Sequence, residues 1–192
     1  MNTRETLPLS PAASARAAQR RLPAATQALA WWRIPGRLGP MLLGLRGQSV
    51  GALLFEDAAP GTLAQLACDA DASAPPLVAE VARQVDEYLG GRRRRFEFAL
   101  EPRGSEFARR VWRELETLGY GERVGYAQLA ARLGLGAEHA RAVGRAVGAN
   151  PLLLLLPCHR VLGSDGALRG YAGGVARKLA LLELEAAPAP AR

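Results

Sequence analysis

The residues best suited to covalent chemistry form one short stretch, in which Cys158 is followed by His159 and Arg160. The thiolate is the nucleophilic form of cysteine, and a neighbouring imidazole or guanidinium lowers the pKa of a thiol. The stretch therefore predicts an activated nucleophile, although a free cysteine is equally compatible with a small buried apolar residue. We interpret the second cysteine, Cys68, in that latter way.

The direction of the chain limits how His159 can reach the sulfur. Neighbouring side chains of an extended segment point in opposite directions, so contact requires either a kink after Pro157 or a bridging water. The imidazole also needs a carboxylate to orient it, as in other nucleophilic sites. Glu185, at the end of the last predicted helix, is a candidate, and a solvated helix end is the alternative.

Two short helices precede the cysteine and must help to position it. Apolar periodicity predicts them over residues 126–133 and 137–149, with a glycine turn over 134–136 between them and Asn150 and Pro151 ending the second. This outline is typical of a helix-turn-helix, although many helical hairpins bind nothing. On a helical wheel of the second helix, the inner face comprises Ala140, Val143, Gly144 and Val147, and the outer face Arg141, Arg145 and Gly148.

The first half of the chain alternates strand and helix patterns. Residues 39–55 predict two short strands around a turn at Gly47, and residues 77–89 predict an amphipathic helix that ends at Gly90. Apolar residues at Phe96, Phe98 and Leu100 then alternate with other side chains as in a half-buried strand. These elements indicate an α/β domain.

Two further helices are predicted in the second half. Ser105 is placed to cap a helix from residue 106 to about residue 118. The last helix covers residues 175–185, with Leu179 and Leu182 on its inner face, and follows a glycine-rich loop over 163–174 that carries Tyr171.

Composition excludes several classes of protein. With 192 residues, 49% of them apolar, the chain is expected to form one large or two small globular domains, and its aliphatic run over 152–156 is far shorter than the roughly 20 residues that cross a membrane. Two cysteines and two histidines are too few for a disulfide scaffold or a four-ligand zinc site, so no metal and no cofactor are predicted.

The net charge of +7 favours a polyanionic partner such as nucleic acid, although a GC-rich genome would also enrich arginine. Of the 25 lysines and arginines, only Lys178 is a lysine. Residues 1–26, rich in arginine, alanine and serine, are predicted to be a disordered tail, with a transit peptide as the alternative. No secretory signal is visible at the start, so a reducing, cytoplasmic location is expected.

Five motifs in order resemble those of the O6-alkylguanine-DNA alkyltransferases, also called methylated-DNA–protein-cysteine methyltransferases. They are FARRVW at 107–112, YGERVGY at 120–126, RAVG at 141–144, PCHRV at 157–161 and GYAGG at 170–174. The similarity is dense over residues 86–185 and loose over 27–85. The resemblance implies an α/β fold with two domains. A small ribonuclease-H-like α/β domain would cover residues 27–102, and a mainly helical domain with a helix-turn-helix would cover residues 103–186. Tails over 1–26 and 187–192 would flank them.

The resemblance implies a single-turnover DNA-repair protein. Such a protein would act as a monomer on double-stranded DNA containing O6-alkylguanine, with O4-alkylthymine as an open second substrate. It would bind in the minor groove through the helix-turn-helix and flip the damaged base out of the stack, because the alkyl carbon is unreachable inside it.

The family motifs also imply roles for individual residues. Cys158 would accept the alkyl group, His159 would stand between a water on the thiol and Glu185, and Asn150 would brace this network. The residues implied in DNA binding are Tyr126, Arg141, Ala142, Gly144 and Arg145, and those implied in the base pocket are Val147, Val161, Tyr171, Ala172 and Lys178. Tyr126, or Lys178 through Tyr171, would neutralise the leaving guanine; for Lys178 the alternative is an ordinary exposed helix residue.

Three other functions fit parts of the pattern. A binding-only alkyltransferase-like protein would recognise the lesion but lack the cysteine that this chain has at position 158. A helix-turn-helix transcription factor would need a separate sensor domain, for which the chain leaves no room. A cysteine hydrolase would need an oxyanion-binding arrangement, and the sequence shows no sign of one.

Overall fold

The computed structural model describes residues 29–71 and 73–187, so the predicted tail over 1–26 and all but Ala187 of the tail over 187–192 lie outside the described residues. The first part contains a four-stranded sheet in the order β3-β2-β1-β4. Its strands are β1 (Ala30–Ile34), β2 (Met41–Arg46), β3 (Ser49–Phe55) and β4 (Cys68–Asp69). The first three strands are antiparallel, and β4 runs parallel to β1.

The hairpin of β2 and β3 confirms the two strands predicted around Gly47. This glycine has a φ of +57°, a left-handed conformation that glycine adopts without steric cost. Alternate residues of β2 face opposite sides, so that Leu43 joins the main core while Leu42 packs with Leu63 of α1 (Gly61–Leu66). The sheet is therefore buried on both faces.

The predicted amphipathic helix is α2 (Pro76–Leu89), followed by Gly90. It buries Val78, Val81, Val85 and Tyr88, whose spacing of three and four residues forms one stripe. This stripe packs into the main core below the sheet.

The strand predicted over Phe96, Phe98 and Leu100 is wrong. Residues 96–99 are irregular, and Leu100 makes only an isolated bridge to Val50 of β3. Phe96 stacks on Tyr88 with 5.0 Å between ring centroids, and Phe98 lies 5.8 Å from Phe96. The alternation in the sequence thus reflects packing onto an aromatic cluster, without a partner strand along its length.

The outer edge of β3 holds two later segments of the chain. Val50 N donates to Ala99 O at 2.9 Å, and Leu53 N donates to Pro151 O at 2.8 Å. Leu153 N returns a bond to Leu53 O at 2.9 Å. The apolar run that leads to Cys158 is therefore fixed against the sheet, and the edge strand is covered.

The second part is mainly helical. Its helices are α3 (Glu106–Glu116), α4 (Tyr126–Arg132), α5 (Ala140–Gly148) and α6 (Val175–Ala186), and its two short parallel strands are β5 (Val124–Gly125) and β6 (Val161–Leu162). Ser105 Oγ accepts from Ala108 N at 3.2 Å, which confirms the predicted cap. Trp112 Nε1 donates to Ala146 O at 2.8 Å and joins α3 to α5.

The inner face predicted for α6 is wrong at Leu179, which is 45% exposed. Leu182 is buried as expected, together with Leu181, Lys178 and Glu185. The periodicity misplaced the face because a lysine and a glutamate, both residues that are rarely buried without partners, occupy inner positions.

One apolar core passes through both parts, and it includes Val85 of α2, Val111 of α3 and Leu152. The chain is a mixed α/β protein with a small sheet and a mostly helical remainder. The division into domains at residues 102 and 103 stays a prediction. Among the described residues, no helix combines the length and the apolar character needed to cross a membrane.

Candidate active site

Cys158 begins a single 3-10 turn, Cys158–Arg160, directly after Pro157. The chain therefore kinks after Pro157, which is one of the two arrangements predicted to let His159 reach the sulfur, the other being a bridging water. Cys158 is 5% exposed, and its Sγ lies 3.1 Å from Nδ2 of Asn150. The nucleophile predicted from the sequence is thus buried and has a hydrogen-bond donor on its sulfur.

Asn150 connects the end of α5 to the segment that carries the cysteine. Besides the contact with Sγ, its Nδ2 donates to Leu156 O at 3.0 Å and to Leu152 O at 3.3 Å. Its Oδ1 accepts from Leu152 N at 2.9 Å. Because every polar atom of the side chain is engaged, Asn150 holds the loop over 152–156 in one conformation.

His159 and Glu185 meet across 26 residues of sequence. His159 Nε2 lies 2.7 Å from Glu185 Oε1, and the side chains of both residues are almost fully buried. A carboxylate only accepts hydrogen bonds, so Nε2 carries the proton and Nδ1 carries the lone pair. Nδ1 is buried and has no hydrogen-bond partner in the part of the chain that the structure describes.

Arg160 contacts Glu185 and not the thiol. Its Nε donates to Glu185 Oε2 at 2.8 Å and its Nη2 donates to Oε1 at 2.9 Å, a bidentate pair, while Nη1 donates to Leu118 O at 2.6 Å. The expectation that Arg160 activates Cys158 is therefore wrong, because the 3-10 turn directs the guanidinium toward α6.

Two further donors to Glu185 were not found from the sequence. The Tyr88 hydroxyl donates to Oε1, and Gly121 N donates to Oε2 at 2.9 Å. Tyr88 lies 97 residues from Glu185 and belongs to no motif that we recognised. Only its place on the apolar stripe of α2 marks it, and that position predicts burial without indicating a partner.

The titration of these groups follows from burial and pairing. Burial raises the pKa of Cys158 to about 11, although the Asn150 hydrogen bond opposes this shift. The expected lowering of the thiol pKa is thus wrong, since desolvation of the charged form dominates. Burial also lowers the pKa of His159, while Glu185 opposes that change. Burial alone would raise the pKa of Glu185, but hydrogen bonds from His159 and Arg160 hold it well below its usual range.

Lys178 is buried, which excludes the alternative of an exposed helix residue. Its Nζ donates to Val161 O at 2.7 Å and to Arg169 O at 3.2 Å, and burial lowers its pKa. Tyr171 lies edge-on to His159 with 6.4 Å between ring centroids, and its buried hydroxyl has no hydrogen-bond partner among the described residues.

An open groove of about 1610 Å³ lies between α4, α5 and the glycine-rich loop. Its described lining contains four arginines and no carboxylate, namely Arg123, Arg141, Arg145 and Arg169. Of the residues predicted to bind DNA or the base, the groove brings together Tyr126, Arg141, Gly144, Arg145 and Ala172. The surface is therefore positively charged where the sequence placed its binding helix.

The helical wheel misplaced one side of α5. Ala140 and Gly144 line the groove with the two arginines, and the residue that joins Val143 and Val147 in the core is Ala146. A Cβ added at Gly144 would meet the Tyr126 ring at 3.6 Å, so this glycine forms the boundary between the two faces.

Five of the residues predicted to bind DNA or the base lie outside the groove lining, namely Ala142, Val147, Val161, Tyr171 and Lys178. Ala142 faces Phe107 and Ala108 of α3 in a separate small depression. Val147 and Val161 are core residues, 5% and 0% exposed. Cys158 itself is not part of the groove lining, so the thiol lies behind the basic surface and not on it.

Comparison with known proteins identified a family model and relatives that all describe the same kind of protein. A family model described as "6-O-methylguanine DNA methyltransferase, DNA binding domain" matches residues 106–187. The chain is 46% identical over 117 residues to a methylated-DNA–protein-cysteine methyltransferase of Mycolicibacterium paratuberculosis, an alignment that spans 61% of this chain and 70% of the relative. It is 47% identical over 108 residues to the protein of that name in Mycobacterium tuberculosis, across 56% of this chain and 65% of the relative.

Solved structures extend the similarity to most of the chain. The crystal structure of Mycobacterium tuberculosis O6-methylguanine methyltransferase has a TM-score of 0.74 at 35% identity and covers 84% of this chain and 96% of its own. The structure of Mycobacterium tuberculosis OGT in complex with DNA has a TM-score of 0.71 at 37% identity, with coverage of 81% and 91%.

Proposed function

The chain belongs to the methylated-DNA–protein-cysteine methyltransferase family and repairs DNA by alkyl transfer, and on that premise we propose that O6-alkylguanine is its substrate and Cys158 its acceptor. The observation that carries this assignment is the buried Cys158 thiol with Asn150 on its sulfur, next to a His159 whose other side is held by Glu185. The second cysteine, Cys68, is exposed and has none of these neighbours.

The thiol needs a base because it is neutral at rest. With a pKa of about 11, only about one Cys158 in 10⁴ is a thiolate at pH 7. His159 is the group suited to take the proton, directly or through a water, because its Nδ1 carries a lone pair and burial keeps the ring neutral. Glu185 fixes this tautomer and stabilises the imidazolium that forms.

The transfer is a displacement at the alkyl carbon. The sulfur of Cys158 forms the S–C bond, the C–O6 bond breaks, and its electron pair stays on the guanine, which then takes up one proton. We assign the neutralisation of the guanine to Tyr126, or to Lys178 acting through Tyr171. The product is a thioether, which has no leaving group comparable to guanine, so each molecule reacts once.

The groove is assigned to the DNA. We propose that α4 and α5 act as a helix-turn-helix in the minor groove, with Arg141 entering the stack in place of the flipped guanine and Arg145 contacting a phosphate. The small size of Gly144 and the exposure of both arginines support this placement. A ribonuclease-H-like topology for the first part, a monomeric state and a cytoplasmic location complete the proposal.

Intact mass measurement tests the acceptor directly. After incubation with duplex DNA containing O6-methylguanine, the protein should gain about 14 Da, the mass of one CH₂, on the peptide that contains Cys158. Cys158→Ser should abolish the gain and retain DNA binding, whereas Cys68→Ser, the matched control, should react like the wild type. Binding without any gain in mass would instead identify a lesion-binding protein, and modification of Cys68 would refute the assignment.

A further inference from the structure

Among the described residues before position 103, Tyr88 is the one whose side chain hydrogen-bonds to Glu185. It lies at the end of α2, is 1% exposed and donates its hydroxyl hydrogen bond to Glu185 Oε1. Its ring is held between Phe96, at 5.0 Å, and Tyr120, at 5.7 Å between centroids. The position of the hydroxyl is thus fixed by packing on both sides of the ring.

The oxygen that Tyr88 contacts is the one that His159 uses. Glu185 Oε1 accepts from Tyr88, from His159 Nε2 at 2.7 Å and from Arg160 Nη2 at 2.9 Å. An oxygen that shares its negative charge among three donors attracts each of them less than it would attract one alone. Every additional donor on Oε1 therefore weakens the pull of Glu185 on the His159 proton.

We propose that Tyr88 is a positioning residue for the alkyl transfer, a proposal that rests on the function proposed above. Because Tyr88 occupies Glu185 Oε1, it limits how strongly the carboxylate stabilises a charged imidazole. It thereby keeps His159 neutral and able to accept the thiol proton. Tyr88 touches neither the sulfur nor the groove, and its hydroxyl contacts Glu185 Oε1 and accepts from Arg160 Nη2 at 3.3 Å. It therefore acts on His159 through Glu185 and the Arg160 that is paired with it.

The other charged and titratable groups around His159 do not replace this contribution. Arg160 and Lys178 are cations that disfavour a second positive charge on the ring, and Glu185 is the one neighbouring carboxylate that favours it. The other titratable groups near the site are Cys158, Tyr171, Tyr120 and Tyr126, all of them neutral at rest. Tyr88 is the neutral donor whose removal changes the strength of the carboxylate while every formal charge stays the same.

Titration of His159 by NMR tests the proposal without any DNA. The chain has two histidines, so the His159 signal is assigned by comparison with a His139→Gln variant. Tyr88→Phe keeps the ring and its stacking but removes the hydroxyl, and it should raise the pKa of His159 by about half a unit or more. Tyr120→Phe, the matched control, removes a hydroxyl that donates to Leu184 O and should leave the titration unchanged.

The same variants should also differ in how the rate of Cys158 alkylation depends on pH. The limb of the profile that rises with pH reports the deprotonation of His159, and Tyr88→Phe should move this limb to higher pH. For a shift of half a pH unit, the rate at any pH below the midpoint of the limb should fall about threefold. 3-Fluorotyrosine placed at position 88 is a stronger donor and should move the limb downward, and it keeps the packing should the Phe variant not fold. An unchanged His159 titration in both variants, or an equal shift in Tyr120→Phe, would overturn the proposal. A His159 that shifts in a protein without alkyl transfer would overturn the proposed function alone.

Discussion

Replacing Glu185 by glutamine removes the only negative charge that faces the buried Arg160 guanidinium in the described structure. Glu185 accepts bonds from Arg160 Nε and Nη2, His159, Tyr88 and Gly121, and its side chain is 1% exposed. The glutamine amide nitrogen, itself a hydrogen-bond donor, would take the place of one carboxylate oxygen and face groups that also donate. Breaking a buried ion pair by removing one partner costs about 3–5 kcal/mol, because the remaining charge stays desolvated.

Equilibrium urea denaturation at pH 7 measures this loss as a decrease in the free energy of unfolding. Since single domains unfold with roughly 5–15 kcal/mol, Glu185→Gln should be strongly destabilised or unfolded. Glu183→Gln makes the same change at an exposed site on α6 and should leave the unfolding free energy nearly unchanged.

Adding Arg160→Leu to Glu185→Gln should recover part of the loss, because it removes the unpaired charge. A loss below about 1 kcal/mol for Glu185→Gln, or no recovery in the double variant, would show that the ion pair does not stabilise the fold as the geometry requires.

Three further outcomes are expected. Folding lowers the pKa of Glu185, so its contribution to stability is complete above its ordinary pKa of 4.5 and is lost progressively as the pH falls from 4.5 toward its folded pKa. When urea denaturation is compared at pH 7 and pH 3, the free energy of unfolding should therefore fall more for the wild type than for Glu185→Gln. Arg141→Ala should slow the repair of duplex DNA far more than the reaction with the free O6-alkylguanine base, both measured by mass spectrometry. Arg113→Ala, which removes an exposed arginine of α3, should slow neither reaction. Equal losses of rate on duplex and on free base in Arg141→Ala would contradict its role in flipping. Gly144→Ala should raise the free energy of unfolding by about 0.5–1 kcal/mol, because alanine is favoured over glycine in a helix and the added Cβ makes an ordinary contact with Tyr126. A melting temperature below that of the wild type would refute the geometry of this contact.

Local sequence patterns predicted the helices and the position of the nucleophile because these depend on near neighbours. The periodicity of residues 77–89, the cap at Ser105 and the hairpin at Gly47 all involve residues a few positions apart. The stretch from Cys158 to Arg160 predicts a reactive site for the same reason, since the proposed chemistry depends on adjacent residue types.

The electrostatics of the site could not be predicted because its contacts join distant residues. Arg160 turns to Glu185, 25 positions away, and Tyr88 reaches the same carboxylate from 97 positions away. The sign of the change in the Cys158 pKa depends on how completely the fold buries the thiol, and neighbouring residue types do not determine that.

The burial of Cys158 also bears on how the proposed acceptor survives before it meets a lesion. Oxidants and small electrophiles react with accessible thiolates, and a thiol that is 5% exposed and almost entirely protonated offers them very little. Cys68, which is exposed, would be modified first and could be lost without consequence for the acceptor. In the mechanism that we propose, the geometry that requires His159 to generate the thiolate would therefore also preserve the acceptor until a lesion is bound.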